Sequence, residues 1–286
     1  ILFRLVGSEM CIRDSHTIPL LPNFYVTAPQ PCPYLQGQME RKLFTSIQGK
    51  NATKVNNTLS KQGFRRSQNI LYRPACTNCS ACLSARINVK QFQLSKTQRR
   101  ITKKNSNLKR HSGSPWATDT QYDLFKTYLD KRHANGGMAD MDIFEFAAMM
   151  EDTHVTSQVT EYMTGVNTLE AVCLTDIFDD GVSLVYSFFN TEFPKKSLGT
   201  YVILDHIKIA HQLGLPYVYL GYWVPGSKKM SYKAQFKGVE VFYNKTWTPM
   251  EQYETFLSEA NNTAPTPLAA QVAEISMPNS TRIPHS

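Results

Sequence analysis

From residue 158 onward the apolar residues fall into short dense runs parted by polar turns, a texture that predicts strands. The runs at 158–163, 170–177 and 182–189 are such strands, and Asp179-Asp180-Gly181 supplies the hairpin turn between the last two. The period then changes. Leu198, Tyr201, Val202, Leu204, Asp205, Ile207 and Ile209 recur at helical spacing, and Gly214 ends the helix predicted over 198–213. A strand at 216–220, apolar on both faces, gives way at Gly221 to Tyr222, Trp223, a Pro225-Gly226 break and then Lys228, Lys229, Ser231, Tyr232 and Lys233. A short helix near 230–236 and a strand at 239–243 follow. Upstream, Tyr122, Phe125, Tyr128 and Leu129 mark an amphipathic helix over 118–132, closed by His133 and Gly136-Gly137, and a second helix covers 143–150. The first third is less regular: Gly63-Phe64-Arg65-Arg66 reads as a turn leading to a strand at 69–72, with another strand at 86–92 and a basic segment of helical character over 95–110.

A strand that leaves the core into aromatic, lysine and tyrosine side chains looks like the edge of a site, because ligands of open sheets sit beyond strand ends. The order hairpin, helix, strand, helix, strand resembles the acetyltransferase-like (GNAT-type) core, so the fold expected is α+β: a mixed sheet flanked by helices, with an N-terminal Cys-containing α+β region. In that layout two central strands part, and acyl donor and amine acceptor meet in the gap. Ordinary members hold coenzyme A on a turn of the form Gln/Arg-x-x-Gly-x-Gly/Ala. Here Lys195-Lys196-Ser197-Leu198-Gly199-Thr200 has a single glycine, which argues for a different acyl donor.

Charge sharpens this. The 286-residue chain has a net charge of +8, and between Arg41 and Thr118 there is no Asp or Glu while 17 of the 31 Lys and Arg residues fall there. One-signed fields of this length suit a polyanion, since each neutralised phosphate releases a counterion. A hydrophobic content of 42% with no run near the ~18 apolar residues of a membrane span indicates a globular protein without a membrane partner. Cys76-x-x-Cys79-x-x-Cys82 places three thiols at spacings that suit a structural zinc ion or an iron–sulfur cluster, with Cys32 as the natural fourth ligand. Buried free thiols are the plainer alternative. The same spacing, with no secretion signal, points to a reducing, cytoplasmic compartment.

Four regions are expected. Residues 1–15, including Val6-Gly7-Ser8-Glu9-Met10-Cys11, read as a non-native leader; 16–115 form the basic, Cys-containing region; 116–250 form the transferase-like domain; 251–286, rich in Asn, Thr, Ala and Pro, form a largely disordered tail.

Several segments together resemble one family. Cys32-Pro33-Tyr34-Leu35, Gly63-Phe64-Arg65-Arg66-Ser67, Tyr72-Arg73-Pro74 running into the three cysteines, and Gln98-Arg99-Arg100 match its amino-terminal half. Arg132-His133, Gly136-Gly137-Met138, Asp176, Asp180-Gly181, Tyr186, Ser197-Leu198-Gly199-Thr200-Tyr201, Leu220-Gly221-Tyr222-Trp223 and Lys229-Met230-Ser231-Tyr232-Lys233 match the rest. The chain is similar to the aminoacyl-tRNA–protein transferases related to arginyltransferases, and Leu35, where the eukaryotic enzymes have a second cysteine, resembles the bacterial aspartate/glutamate leucyltransferase branch.

The resemblance implies transfer of leucine from leucyl-tRNA to the α-amine of proteins beginning with Asp or Glu, marking them for N-end-rule degradation. No cofactor is required for such a transfer. Tyr222, Tyr232 and Lys233 are candidates for proton relay and oxyanion contacts, and Asp176 for the acceptor ammonium or a turn cap. Arg66, Arg73 and Arg99 are candidates for the acceptor carboxylate or for tRNA phosphates. Lys196, Ser197, Thr200 and Tyr201 stand at a helix start suited to phosphate, with Lys229 nearby in the basic loop; Tyr186 lies on a strand whose backbone suits the amine or acyl carbonyl; Trp223 suits stacking on the terminal adenine or the core. His133 reads as a helix-end residue rather than a base. A coenzyme A-dependent N-acetyltransferase and a non-catalytic zinc- or RNA-binding protein are the competing readings.

Overall fold

The computed structural model describes residues 22–134, 136, 138–165, 168–252 and 267–278. Short β-prone pieces near the start pair with one another. β1 (Phe24–Val26), β4 (Lys42–Ser46), β5 (Arg65–Ser67) and β6 (Ile70–Pro74) form an antiparallel sheet of order β1-β4-β6-β5, beside a two-residue-per-strand ribbon of β2 (Gln30–Pro31) and β3 (Met39–Glu40). Helix α1 (Ala52–Ser60) covers this sheet, and Leu43, Ile47, Leu59, Phe64 and Leu71 are buried between them.

The second sheet has eight strands in the order β14-β13-β7-β12-β11-β10-β9-β8. β7 (Leu83–Asn88) enters it from the first half of the chain and pairs with two later strands. After β7 comes α2 (Lys96–Lys104), started by a capping box between Ser95 and Gln98, and then the exposed edge strand β8 (Lys109–Gly113). Thr118 caps α3 (Asp119–Arg132), and a second box, Asp142 with Glu145, starts α4 (Ile143–Glu151). β9 (Ser157–Met163), β10 (Leu169–Ile177) and β11 (Gly181–Phe189) form a meander. Helix α5 (Leu198–Gln212) crosses over to β12 (Tyr217–Trp223), and β13 (Val239–Tyr243) and β14 (Thr246–Pro249) finish the sheet.

Both faces of the sheet are covered, which explains why β10 is buried along nearly its whole length. On one side α2 and α5 bury Ile101, Val202, Ile207 and Ala210 against Ile87, Val182 and Val218. On the other, α3 and α4 bury Phe125, Leu129, Phe146 and Met150 against Val172, Leu174 and Phe188.

One pairing is unlike the rest. β11 and β12 are the parallel neighbours, and their ladder covers only Gly181↔Tyr217, Val182↔Val218 and Ser183↔Tyr219. Both strands continue, to Phe189 and Trp223, but no longer as partners. The result is a wedge that opens at the centre of the sheet.

The predicted strands and helices from 118 onward match the observed ones to within a residue or three at each end. The segment read as basic and helical over 95–110 is α2 plus the edge strand β8, and the large sheet takes β7 and β8 from before residue 115. The tail departs from expectation over 267–278. There α6 (Leu268–Ala273) packs Leu268 and Val272 against the N-terminal core, since these few apolar residues find a ready hydrophobic face. The leader assigned to 1–15 lies outside the described residues.

Candidate active site

Parting two strands leaves backbone carbonyls without ladder partners, and such groups are rarely left unpaired when buried. Two basic side chains take them here. Arg65 reaches in from β5, and its Nη2 donates to Leu184 O at 2.8 Å and to Val185 O at 3.4 Å. Lys233, from the 3-10 turn Ser231–Gln235, donates from Nζ to Tyr222 O on the opposite bank. Lys233 is 5% exposed, and burial followed by the charge of Arg65 lowers its pKa well below the usual 10.5. Burial in this setting disfavours the ammonium form of the lysine.

Gly221 makes the approach of Arg65 geometrically allowed. Its φ is +78°, where an L side chain is strained, and a Cβ there would collide with the Arg65 guanidinium. The glycine at which the sequence pattern leaves the core is therefore the floor on which the guanidinium lies.

The wedge is walled by aromatic side chains. Tyr232 is 38% exposed, its ring centroid 5.9 Å from Lys233 Nζ; burial raises its pKa while Arg65 works against that rise. The Tyr128 ring from α3 packs tilted against Phe189, with centroids 5.0 Å apart, and its hydroxyl lies 3.4 Å from His133 Nε2. His133 has a depressed pKa, through burial and the neighbouring charges of Lys229 and Arg132, so it is neutral at pH 7. Gly199 at the start of α5 sits so close to Phe189 that a Cβ would be 2.9 Å from the ring, which draws the helix terminus onto the end of β11. On the far side Tyr34 adjoins Arg65, Tyr72 and Cys82, and burial leads the causes that push it up to about 12.

Several residues singled out in the sequence have other duties. Asp176 is fully buried and accepts Arg66 Nε at 2.6 Å and Nη2 at 2.7 Å, with further bonds from Ser157 at 2.7 Å and Asn56 at 3.4 Å. Its lone pairs are saturated, so it receives no acceptor ammonium, caps no turn, and leaves Arg66 no freedom to bind substrate. Tyr222 donates its hydroxyl to Tyr72 O at 2.9 Å and Gly63 O at 3.1 Å, and burial raises its pKa well above 10, so it serves as a strut between the two sheets and not as a proton relay. Trp223 is 6% exposed within the core of the large sheet and presents no face to a base. Arg73 lies over Phe64 at 5.0 Å and donates to Gln271 O at 3.1 Å beneath α6, away from the wedge. Lys196 is paired with Glu170 at 3.0 Å, and Tyr201 faces a surface cleft between α2, β8 and α5. Tyr186 is half-buried against Phe125 with a raised pKa caused by burial, then Tyr128. Ser197 starts α5 in the left-handed conformation (φ +52°) and gives the helix no side-chain cap; Thr200 is half-buried one turn in. Arg99 and Lys229 are exposed. Tyr232 and Lys233 are the proposed catalytic side chains that the structure brings to the wedge. Arg65, Tyr34 and Tyr128 are its additional members, and the Arg65-Arg66 doublet was the one signal pointing to the first.

With this geometry in view, the comparisons with known proteins are direct. Residues 30–100 match the family described as Arginine-tRNA-protein transferase, N terminus, and residues 120–243 match its C terminus. An aspartate/glutamate leucyltransferase from Ruegeria sp. is 57% identical over 267 residues, covering 93% of this chain and 97% of its own. One from Cereibacter sphaeroides is 59% identical over 268 residues, covering 92% and 96%. This chain belongs to the arginyltransferase-related family, on its aspartate/glutamate leucyltransferase branch. Among solved structures, L-PGS from Bacillus licheniformis aligns over 64% of this chain and 66% of its own at 9% identity, with a TM-score of 0.42.

The cysteine cluster stands next to the wedge through Tyr34. Burial pushes the Cys82 thiol up to about 12, with Cys79, Cys76 and Cys32 adding to the rise, and burial raises Cys76 likewise. Four thiols are the right donor set for zinc or an iron–sulfur cluster. As they stand, however, no three His, Cys, Asp or Glu side chains among the described residues converge as metal ligands. No step of the chemistry below passes through a metal.

The one-signed stretch divides by role. Arg66 and Arg86 are internal, the latter bonded to Glu240 at 2.8 Å and stacked on Tyr217 at 3.4 Å, and Arg65 is half-buried. Arg99, Arg100, Lys103 and Lys104 on α2, with Lys109 and Arg110 on β8, are exposed. Lys104 Nζ and Asn105 Nδ2 bond to the carbonyls of Lys195 and Lys196, which joins this basic face to the start of α5. No helix among the described residues is long and apolar enough to cross a membrane.

Proposed function

We propose that this protein transfers leucine from leucyl-tRNA to the α-amine of proteins that begin with Asp or Glu, and that the transfer takes place in the wedge between β11 and β12. The observation that carries this reading is the separation of those strands beyond Ser183 and Tyr219, with a buried amine from Lys233 and a guanidinium from Arg65 held in the gap. Family membership supports the donor and acceptor classes. The parted strands, the β10–β11 hairpin and the α5 crossover support an acetyltransferase-type arrangement of the core.

The chemistry needs little from the protein beyond placement, because the ester of an aminoacyl-tRNA is already activated. The acceptor α-amine has a pKa of about 7.7–8.0, so a useful fraction is neutral at pH 7. Its nitrogen attacks the ester carbonyl carbon, and a C–N bond forms as the C–O bond to the terminal ribose breaks. The proton lost by the amine passes to Lys233 Nζ, whose lowered pKa fits it to accept one, and then to the departing ribose oxygen. The Tyr232 hydroxyl, kept protonated by its raised pKa, donates to the oxyanion as it develops.

Exposed cations on α2 and β8 lead the acceptor stem toward the uncapped start of α5, where backbone N–H groups favour phosphate. The setting proposed is the cytoplasm, and the product is a protein marked for N-end-rule degradation. A structural zinc ion or iron–sulfur cluster on Cys32, Cys76, Cys79 and Cys82 is part of the proposal only as a brace next to Tyr34; elemental analysis of anaerobically purified protein decides it.

Purified protein with radiolabelled leucyl-tRNA and peptides beginning Asp, Glu, Arg or Ala tests the reading. Label is expected on the Asp and Glu peptides alone, and ribonuclease abolishes it. Labelling from acetyl-coenzyme A, or RNA binding without transfer, overturns it.

A further inference from the structure

We infer that Arg65 is the specificity-determining residue of this site, its guanidinium receiving the side-chain carboxylate of the acceptor's first residue. The inference rests on the reading above and names which group enforces the acidic choice.

Three observations carry it. First, Arg65 uses only Nη2 in the structure, for the two carbonyls of β11; among the described residues Nε and Nη1 form no hydrogen bond. A guanidinium has five N–H donors, and with Nη2 spent on the carbonyls those of Nε and Nη1 remain to meet a carboxylate with single charge-assisted hydrogen bonds. Second, no carboxylate neutralises it. Among the described residues Arg65 is in no ion pair, and the neighbouring Lys233 side chain likewise has no carboxylate partner. Glu40, whose charge reaches Tyr34 as that of Arg65 does, is held by Lys42 at 2.9 Å. The buried Arg66 and Arg86 are paired, with Asp176 and Glu240, whereas the half-buried Arg65 is not. Third, the guanidinium is fixed. Gly221 lies beneath it, and Leu184 and Val185 anchor one edge, so its open edge has a set direction beside the Lys233 amine. An acceptor whose α-amine lies near Lys233 has its first side chain within reach of that edge.

A phosphate of the tRNA end would satisfy the same charge. The position favours the acceptor: the exposed cations stand on α2 and β8, while Arg65 is half-buried between strands where a narrow side chain fits more readily than a phosphodiester.

The test compares peptides beginning Asp and Asn, which differ in charge and hardly in shape. The Asp over Asn preference in kcat/KM should fall by about 100-fold or more in Arg65→Gln, through loss of the Asp reaction, with the KM for leucyl-tRNA unchanged. Arg65→Lys keeps a cation for the β11 carbonyls but loses the remaining Nε and Nη1 donors, and should lower the preference by about tenfold with the fold intact by circular dichroism. An unchanged preference in both variants overturns the inference. A raised KM for leucyl-tRNA with the preference kept assigns Arg65 to the donor and also overturns it. Binding of the Asp peptide without tRNA, by calorimetry, gives a second readout: it should weaken in both variants, and equal affinity for the variants and the unaltered protein counts against Arg65. Should the unaltered protein transfer no leucine at all, the functional reading fails, while the Asp against Asn binding difference still judges Arg65.

Discussion

Tyr222 separates a chemical role from a mechanical one, and Tyr222→Phe decides between them. The substitution removes one hydroxyl and little else, because the ring stays packed at 6.0 Å from Tyr72. Two carbonyls, Tyr72 O at 2.9 Å and Gly63 O at 3.1 Å, lose the donor that bridges them. The hydroxyl is buried, so water does not readily take its place. Leaving a buried acceptor unsatisfied costs about 1–3 kcal/mol. Taking about 2 kcal/mol, and about 2 °C per kcal/mol as suits a chain of this size, the melting temperature should drop by about 4 °C. A proton relay would read differently, since removing a general acid or base slows a reaction by about 10²–10⁴-fold. The assay is leucyl transfer to an Asp-start peptide at saturating leucyl-tRNA, some 15 °C below the variant's melting point, alongside a thermal melt. The expected pair of results is a lowered melting temperature and a kcat within about threefold of the unaltered protein. A hundredfold loss of kcat with an unmoved melting temperature would refute the argument and return Tyr222 to the chemistry.

Three further outcomes follow from the same structure. Asp176→Ala strands the Arg66 guanidinium in the interior and should cost about 3–5 kcal/mol in urea unfolding, whereas a role for Asp176 in binding the acceptor would instead raise the acceptor KM at unchanged stability. Gly221→Ala places a methyl group where the Arg65 guanidinium lies, at a φ of +78°; acceptor kcat/KM should collapse while the KM for leucyl-tRNA holds, and retention of acceptor kcat/KM would show that Arg65 can leave its seat freely. Lys233 has a folded-state pKa below its unfolded 10.5, so between those values the unfolded chain binds the extra proton and stability rises with pH. The unfolding free energy of the unaltered protein minus that of Lys233→Met should therefore grow from pH 7 to pH 10, and a flat difference would mean that Lys233 is charged in the fold.

Much of the large sheet was legible because each of its strands and helices carries its own period. The three strands of the meander and α5 announce themselves through runs such as Leu169–Ile177 and the spacing of Val202, Ile203, Ile207 and Ala210, and both faces are buried, so propensity and packing agree. The N-terminal sheet was less legible because its strands are three to five residues long, too short for alternation to show. β8 gave no sign at all: all five of its residues are exposed, and it exists because β9 offers an edge to pair with. At the site, the loop after β12 was visible as lysine and tyrosine beyond a buried strand. The assignment of individual side chains was not. Tyr222 and Tyr232 look alike in sequence, yet one is sealed beneath the N-terminal sheet and the other stands open, a difference set by what another part of the chain places on top.

The Arg65-Arg66 pair shows how one local rule divides two tasks. Consecutive residues of a strand point to opposite faces, so within β5 one arginine must face away from the other. Arg66 turns to the bidentate embrace of Asp176 on β10, and Arg65 is thereby turned to the carbonyls of β11. The buried pair thus acts as a register pin. β5 cannot slide by one residue without breaking it, and a slide would exchange the two guanidinium groups. Tyr222 holding Gly63 and Tyr72, and Trp247 Nε1 donating to Lys61 O at 2.9 Å, fasten the same small sheet from two other directions. An ion pair that contributes little net stability can in this way be retained for the position it imposes on its neighbour. Loosening Asp176 should accordingly degrade acceptor discrimination before the large sheet itself unfolds.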